Sequence, residues 1–166
     1  MLIGFSGLLG VGKTTIAREF ARAAGAMHLR IDSIEQALRN ERITVEGQGY
    51  RVAYTIAEDN LRLGHIVIAD CVDPWPLTRA EWRAVADRAG VRIVDVEVVC
   101  SDALEHRRRV ENRRPDIDGH ELPTWAEVLA LDYRAWTTDR LVLDTARLSV
   151  ARCVELLQDA IRSVNS

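Results

Sequence analysis

The stretch Gly7-Leu8-Leu9-Gly10-Val11-Gly12-Lys13-Thr14 decides the fold. It fits G-x-x-x-x-G-K-[ST] at every position. Glycines let backbone N–H groups turn onto phosphate oxygens without interference from a Cβ. The helix that follows aims its positive end at the same anion. Lys13 is placed to reach the β- and γ-phosphates, and the Thr14 hydroxyl suits Mg2+. The apolar run Leu2–Ser6 comes before the turn and the helix formers Thr14–Ala24 come after it. That strand–turn–helix context separates a phosphate loop from a chance match. Gly7 through Thr15 is therefore read as an ATP-binding segment.

Composition sharpens this reading. Of 22 basic residues, Lys13 is the single lysine. A bias toward arginine explains the other sites but leaves Lys13 to be explained. A tight phosphate cradle has room for a compact ammonium and not for a wide planar fork. The 166 residues fit one domain, 1–166. A net charge of −3 argues against a general nucleic-acid coat protein. No apolar run approaches the ~18 residues of a spanning helix. Met1–Phe5 lacks a basic leader, and Cys71, Cys100 and Cys153 have no metal spacing. These features lead us to expect reduced thiols and a cytoplasmic location.

Outward from the loop, short apolar runs alternate with helical patterns. Strands are expected at Leu2–Ser6, Met27–Ile31, His65–Ala69, Val91–Cys100 and Leu141–Leu143. Helices are expected at Thr14–Ala24, from Asp32 onward, and at Tyr50–Leu63, Arg79–Ala89, Asp102–Arg113, Thr124–Trp136 and Ser149–Val164. Such alternation implies a parallel sheet with helices on both faces, an α/β class. Ligands then bind beyond the C-terminal strand ends. Asp32, Asp70, Ser101 and Asp144 stand there, after the phosphate loop.

Asp32 is positioned to accept the proton of an attacking hydroxyl. It also suits a helix N-cap, with Glu35 completing a capping box. Asp70 suits a water-mediated hold on Mg2+. Asp144 is read as a loop residue beside the nucleotide base. Arg107, Arg108, Arg109, Arg113 and Arg114 precede a loop with Pro115, Gly119 and Pro123. Segment 107–123 reads as a helical arginine lid, with Arg109 and Arg113 on one face spreading transition-state charge. His106 and His120 are read as surface residues, and Asp95 and Glu97 as rim or exposed-face residues. Arg39, Tyr50, Trp75 and Trp125 are candidates for the acceptor pocket.

With GLLGVGKT, RIDSIEQAL, IVIADCVDP, HRRRVENRR and RLVLDT in view, the chain resembles small P-loop kinases. It is similar to the AAA-type group that includes chloramphenicol phosphotransferase and the kinase domain of polynucleotide kinase. The resemblance implies a three-layer P-loop NTPase, nucleoside-monophosphate-kinase-like fold with strand order 2-3-1-4-5. It also implies Asp32 as base or acceptor anchor and Arg109 and Arg113 as lid arginines. Polynucleotide kinases tend to carry an arginine three residues after this Asp, where this chain has Glu35. The expected activity is transfer of the ATP γ-phosphate to a hydroxyl of a small molecule, antibiotic or sugar-like. Expected partners are that acceptor alone, with no nucleic acid and no membrane, in a monomer or homodimer. The alternatives are a polynucleotide or nucleoside kinase, and a nucleotide-binding regulator without catalysis.

Overall fold

A computed structural model describes residues 1–165; Ser166 of the expected 1–166 domain lies outside the described residues. The sheet holds β1 (Leu2–Ser6), β2 (Met27–Arg30), β3 (Val67–Asp70), β4 (Ile93–Val99) and β5 (Leu141–Asp144). Its order is β2-β3-β1-β4-β5 and every pairing is parallel. Parallel strands covered on both faces read as continuous apolar runs. Accordingly all five residues of central β1 are buried.

Side chains alternate across β1 and build two cores. Ile3 and Phe5 pack with Ile16 and Phe20 of α1 (Lys13–Ala24) and Leu157 of α7 (Val150–Asn165). Leu2 faces the opposite side, with Ala57 and Leu61 of α3 (Gln48–Arg62) and Trp82 and Val85 of α4 (Pro76–Arg88). The remaining helices are α2 (Ile31–Asn40), α5 (Ala103–Asn112) and α6 (Trp125–Ala130). No helix among the described residues is long and apolar enough to cross a membrane. Cys71 and Cys153 are buried and Cys100 half-buried, all as free thiols.

The departures from expectation have local causes. Strand β2 runs straight into α2, so Arg30 takes the N-cap place and no side chain caps the helix. Asp32 falls in the first turn, released from capping duty. Asp102 caps α5, accepting from the Leu104 and Glu105 N–H groups at 3.0 Å. Helix α4 starts at Pro76, earlier than expected, where a proline without an N–H costs nothing. Helix α6 ends at Ala130, well before Trp136. Beyond it, Tyr133 and Trp136 turn back onto the buried Arg79, whose guanidinium lies 5.1 and 4.3 Å from their ring centres. That tertiary packing overrides the local helix preference. Helix α5 stops at Asn112, and Arg113 is extended at φ −65°, ψ 137°. The Arg109–Arg113 helical face therefore does not form.

Candidate active site

The loop between β1 and α1 turns under one wall of a cleft of about 640 Å³. Gly7 (φ +136°) and Gly10 (φ +82°) are required where they stand. A Cβ on Gly7 would lie 2.2 Å from the Val98 carbonyl oxygen, and one on Gly10 2.5 Å from Val110 Cγ2. Helix α5 is thus packed directly on the loop. His106 of α5 is buried and donates from Nε2 to the Leu9 carbonyl at 2.7 Å. Its ring meets Trp125 edge-on at 5.0 Å. The surface reading of His106 is corrected: the ring braces the loop from behind.

Lys13 is 7 % exposed. Its Nζ donates to the Gly7 and Leu8 carbonyls at 2.8 and 2.7 Å. Burial pushes its amine down, while the Asp70 and Asp32 carboxylates push it up; the net direction is down. Asp70 ends β3 at 3 % exposure. His28 of β2 donates from Nε2 to Asp70 Oδ2 at 3.0 Å. Burial pushes the Asp70 carboxyl up, but His28, Lys13 and the Thr14 hydroxyl outweigh it and hold it below its ordinary value. An ionised carboxylate beside a threonine hydroxyl is a fitting donor pair for Mg2+, which binds one or two carboxylates plus phosphates and water.

Of the residues expected at the site, Leu9, Gly10, Gly12, Lys13, Thr14, Thr15, Asp32, Asp70, Arg109 and Arg113 line this one cleft. Gly7, Leu8 and Val11 lie behind its surface; Gly7 and Leu8 act through carbonyls, and Val11 is 2 % exposed in the core. Asp144 does not line it. Its Oδ1 accepts from the Ser101 and Ala146 N–H groups, which fixes the turn after β5. The neighbouring Thr145 takes the cleft position instead. Thr145 Oγ1 donates to the Val11 carbonyl at 2.8 Å and accepts from Arg109 Nη1 at 2.8 Å.

The family model described as AAA domain matches residues 2–131. The chain belongs to this AAA domain family. An adenylyl-sulfate kinase of Synechococcus sp. (strain JA-3-3Ab) is 23 % identical, covering 97 % of this chain and 93 % of the relative. The APS kinase of Mycobacterium tuberculosis, solved with AMPPNP and APS, superposes with a TM-score of 0.73 at 19 % identity. That match covers 97 % of this chain and 96 % of the other. A gluconokinase from Sinorhizobium meliloti gives 0.66 at 16 % identity, covering 98 % and 91 %. These likenesses establish a P-loop kinase fold for the AAA domain. They do not single out the chloramphenicol phosphotransferase group.

The arginines of this AAA domain that were expected to form a lid are engaged with acids. Arg107 pairs with Glu111, Arg108 and Arg109 with Glu105, and Arg113 approaches Asp116. Arg107 and Arg108 are exposed, so solvent screens their pairs. Arg39, Tyr50, Trp75 and Trp125 do not line the cleft. Glu97 is buried and accepts from Tyr133 and Arg140, and Asp95 pairs with Arg83, so neither is a free rim carboxylate. His28, Arg30 and Asp116 were missed in the sequence. No motif marks them, because each acts through a partner distant in the chain.

Proposed function

We propose that this AAA domain transfers the γ-phosphate of ATP to a hydroxyl of a small-molecule acceptor. The observation that carries the reading is that Asp32 shares one cleft with Lys13 and Thr14. A carboxylate across from a phosphate loop supplies the base that a hydroxyl acceptor needs.

In this reading the loop N–H groups and Lys13 hold the β- and γ-phosphates. Lys13 exchanges its two carbonyl partners for phosphate oxygens on binding. Arg109 and Arg113 leave their acidic partners and spread charge over the transferring group. The acceptor oxygen forms its bond to phosphorus as the bond to the β-phosphate oxygen breaks, and ADP leaves. Asp32 takes the hydroxyl proton. Mg2+ held by Thr14 and, through water, by Asp70 would neutralise charge on the phosphates.

The test is ATP consumption against a panel of hydroxyl compounds, read for ADP and a phosphate ester. Asp32→Asn is expected to keep Mg-ATP affinity and lose about 10²–10⁴ in turnover. Tight Mg-ATP binding without ester formation across a broad panel would instead favour a regulator. Phosphorylation of a polynucleotide that weakens steeply with salt would favour a nucleic-acid kinase.

A further inference from the structure

Three arginines from three different segments meet one carboxylate on the Asp32 side of the cleft. Asp116 Oδ2 accepts from Arg30 Nη1 at 2.7 Å and from Arg18 Nη2 at 2.9 Å. Its Oδ1 lies 3.7 Å from Arg113 Nη2, beyond hydrogen-bond reach. Arg30 also reaches Asp32 Oδ2 from Nη2 at 3.4 Å. Its side chain is 3 % exposed, yet its buried Nε has no acceptor.

Donors outnumber acceptors here. One oxygen serves two guanidinium groups, a third group stands too far away, and a buried N–H goes unmet. A guanidinium as deeply buried as Arg30 is destabilising when left unpaired, so it holds an acid while no ligand is bound. Asp116 itself comes from the loop after α5 and keeps 37 % side-chain exposure. The segment it belongs to rests on α2: a Cβ on Gly119 would lie 3.1 Å from Gln36 Nε2. A planar carboxylate offers two oxygens. A phosphate or sulfate ester offers three more widely spread ones, which suits arginines converging from several directions.

We propose that Arg18 and Arg30 form the seat for a tetrahedral oxyanion, phosphate or sulfate, carried by the acceptor, and that Asp116 fills this seat until the acceptor arrives, leaving Arg113 to the transferring group. The proposal rests on the kinase reading, and it names the class of acceptor: a hydroxyl compound that already bears such an anion. The neighbouring Asp32 is then one arginine away from the anion, which places the hydroxyl at the base.

The experiment titrates inorganic phosphate, sulfate and acetate into protein whose phosphate loop is saturated with Mg-AMPPNP, following thermal stabilisation. Asp116→Asn is expected to bind phosphate or sulfate about tenfold more tightly than wild type, since a competing charge-assisted partner is removed. Asp118→Asn makes the same charge change on the same loop and is expected to change nothing. Adding Arg18→Ala to Asp116→Asn should abolish the gain; Arg18 is 42 % exposed, so its loss does not threaten folding. Acetate should gain far less than phosphate. Whichever tetrahedral anion gains more names the acceptor group. Equal phosphate affinity in wild type and Asp116→Asn, or a gain that survives Arg18→Ala, would overturn the seat. So would an equal gain for acetate. Failure of Mg-AMPPNP to bind would instead overturn the kinase reading, while the Arg18 comparison still decides the seat.

Discussion

His28 Nε2 donates to Asp70 Oδ2 at 3.0 Å, tying strand β2 to the last residue of β3. The bond keeps a nearly fully buried carboxylate ionised beside Thr14 and Lys13. Because Asp70 lies below its ordinary value, it adds stability above the unfolded carboxyl pKa. That contribution is lost as pH falls through the folded pKa. His28→Ala should therefore cost about 1.5 kcal/mol near neutral pH. The gap to wild type should shrink as pH drops below about 4. Urea unfolding at pH 7 and in acid checks both, and a gap independent of pH would contradict the pairing.

Asp73 behaves in the opposite way. It is 3 % exposed, its Oδ1 has no partner, and its backbone is left-handed at φ 48°. Burial pushes its carboxyl up to about 6, with Thr78 and Arg79 opposing. Its stabilising effect is present in acid and is lost as pH rises through 6. Asparagine tolerates this backbone and carries no charge. Asp73→Asn is expected to raise stability by about 1–3 kcal/mol at pH 8 and little at pH 4. Denaturant midpoints at the two pH values provide the measurement.

Arg79 donates to the carbonyls of Asp73, Pro74, Arg134 and Ala135. One buried fork thereby fastens the loop after β3 to the loop after α6. A lysine has the charge but not the fork. Arg79→Lys should cost about 3 kcal/mol and expose Trp136, moving its fluorescence to longer wavelength.

Gly10 and Gly25 both adopt positive φ, but only Gly10 is crowded. Gly25→Ala should cost about 1 kcal/mol and leave nucleotide binding intact. Gly10→Ala should in addition weaken Mg-AMPPNP binding about tenfold, because its Cβ would push Val110 and α5 off the loop. Calorimetric titration of the two variants separates the effects.

The phosphate loop was legible because its chemistry is local: glycines, lysine and threonine act within eight residues. That Asp32 and Asp70 line the cleft was legible because strand ends mark the ligand edge of a parallel sheet. The anion seat was not, since Arg30 and Asp116 are 86 residues apart and meet only after folding. His106 looked like a surface residue in an arginine run until α5 packed on the loop. Segment 131–136 looked helical because nothing local announces that Tyr133 and Trp136 will clasp Arg79.

Phosphate binding by this loop is tested most directly at Lys13. It is the chain's single lysine, so amine labelling followed by peptide mapping reads two sites, Lys13 and the Met1 amine. Saturating Mg-ATP is expected to protect Lys13 and leave Met1 labelling unchanged. Equal labelling of Lys13 with and without Mg-ATP would contradict its place on the phosphates.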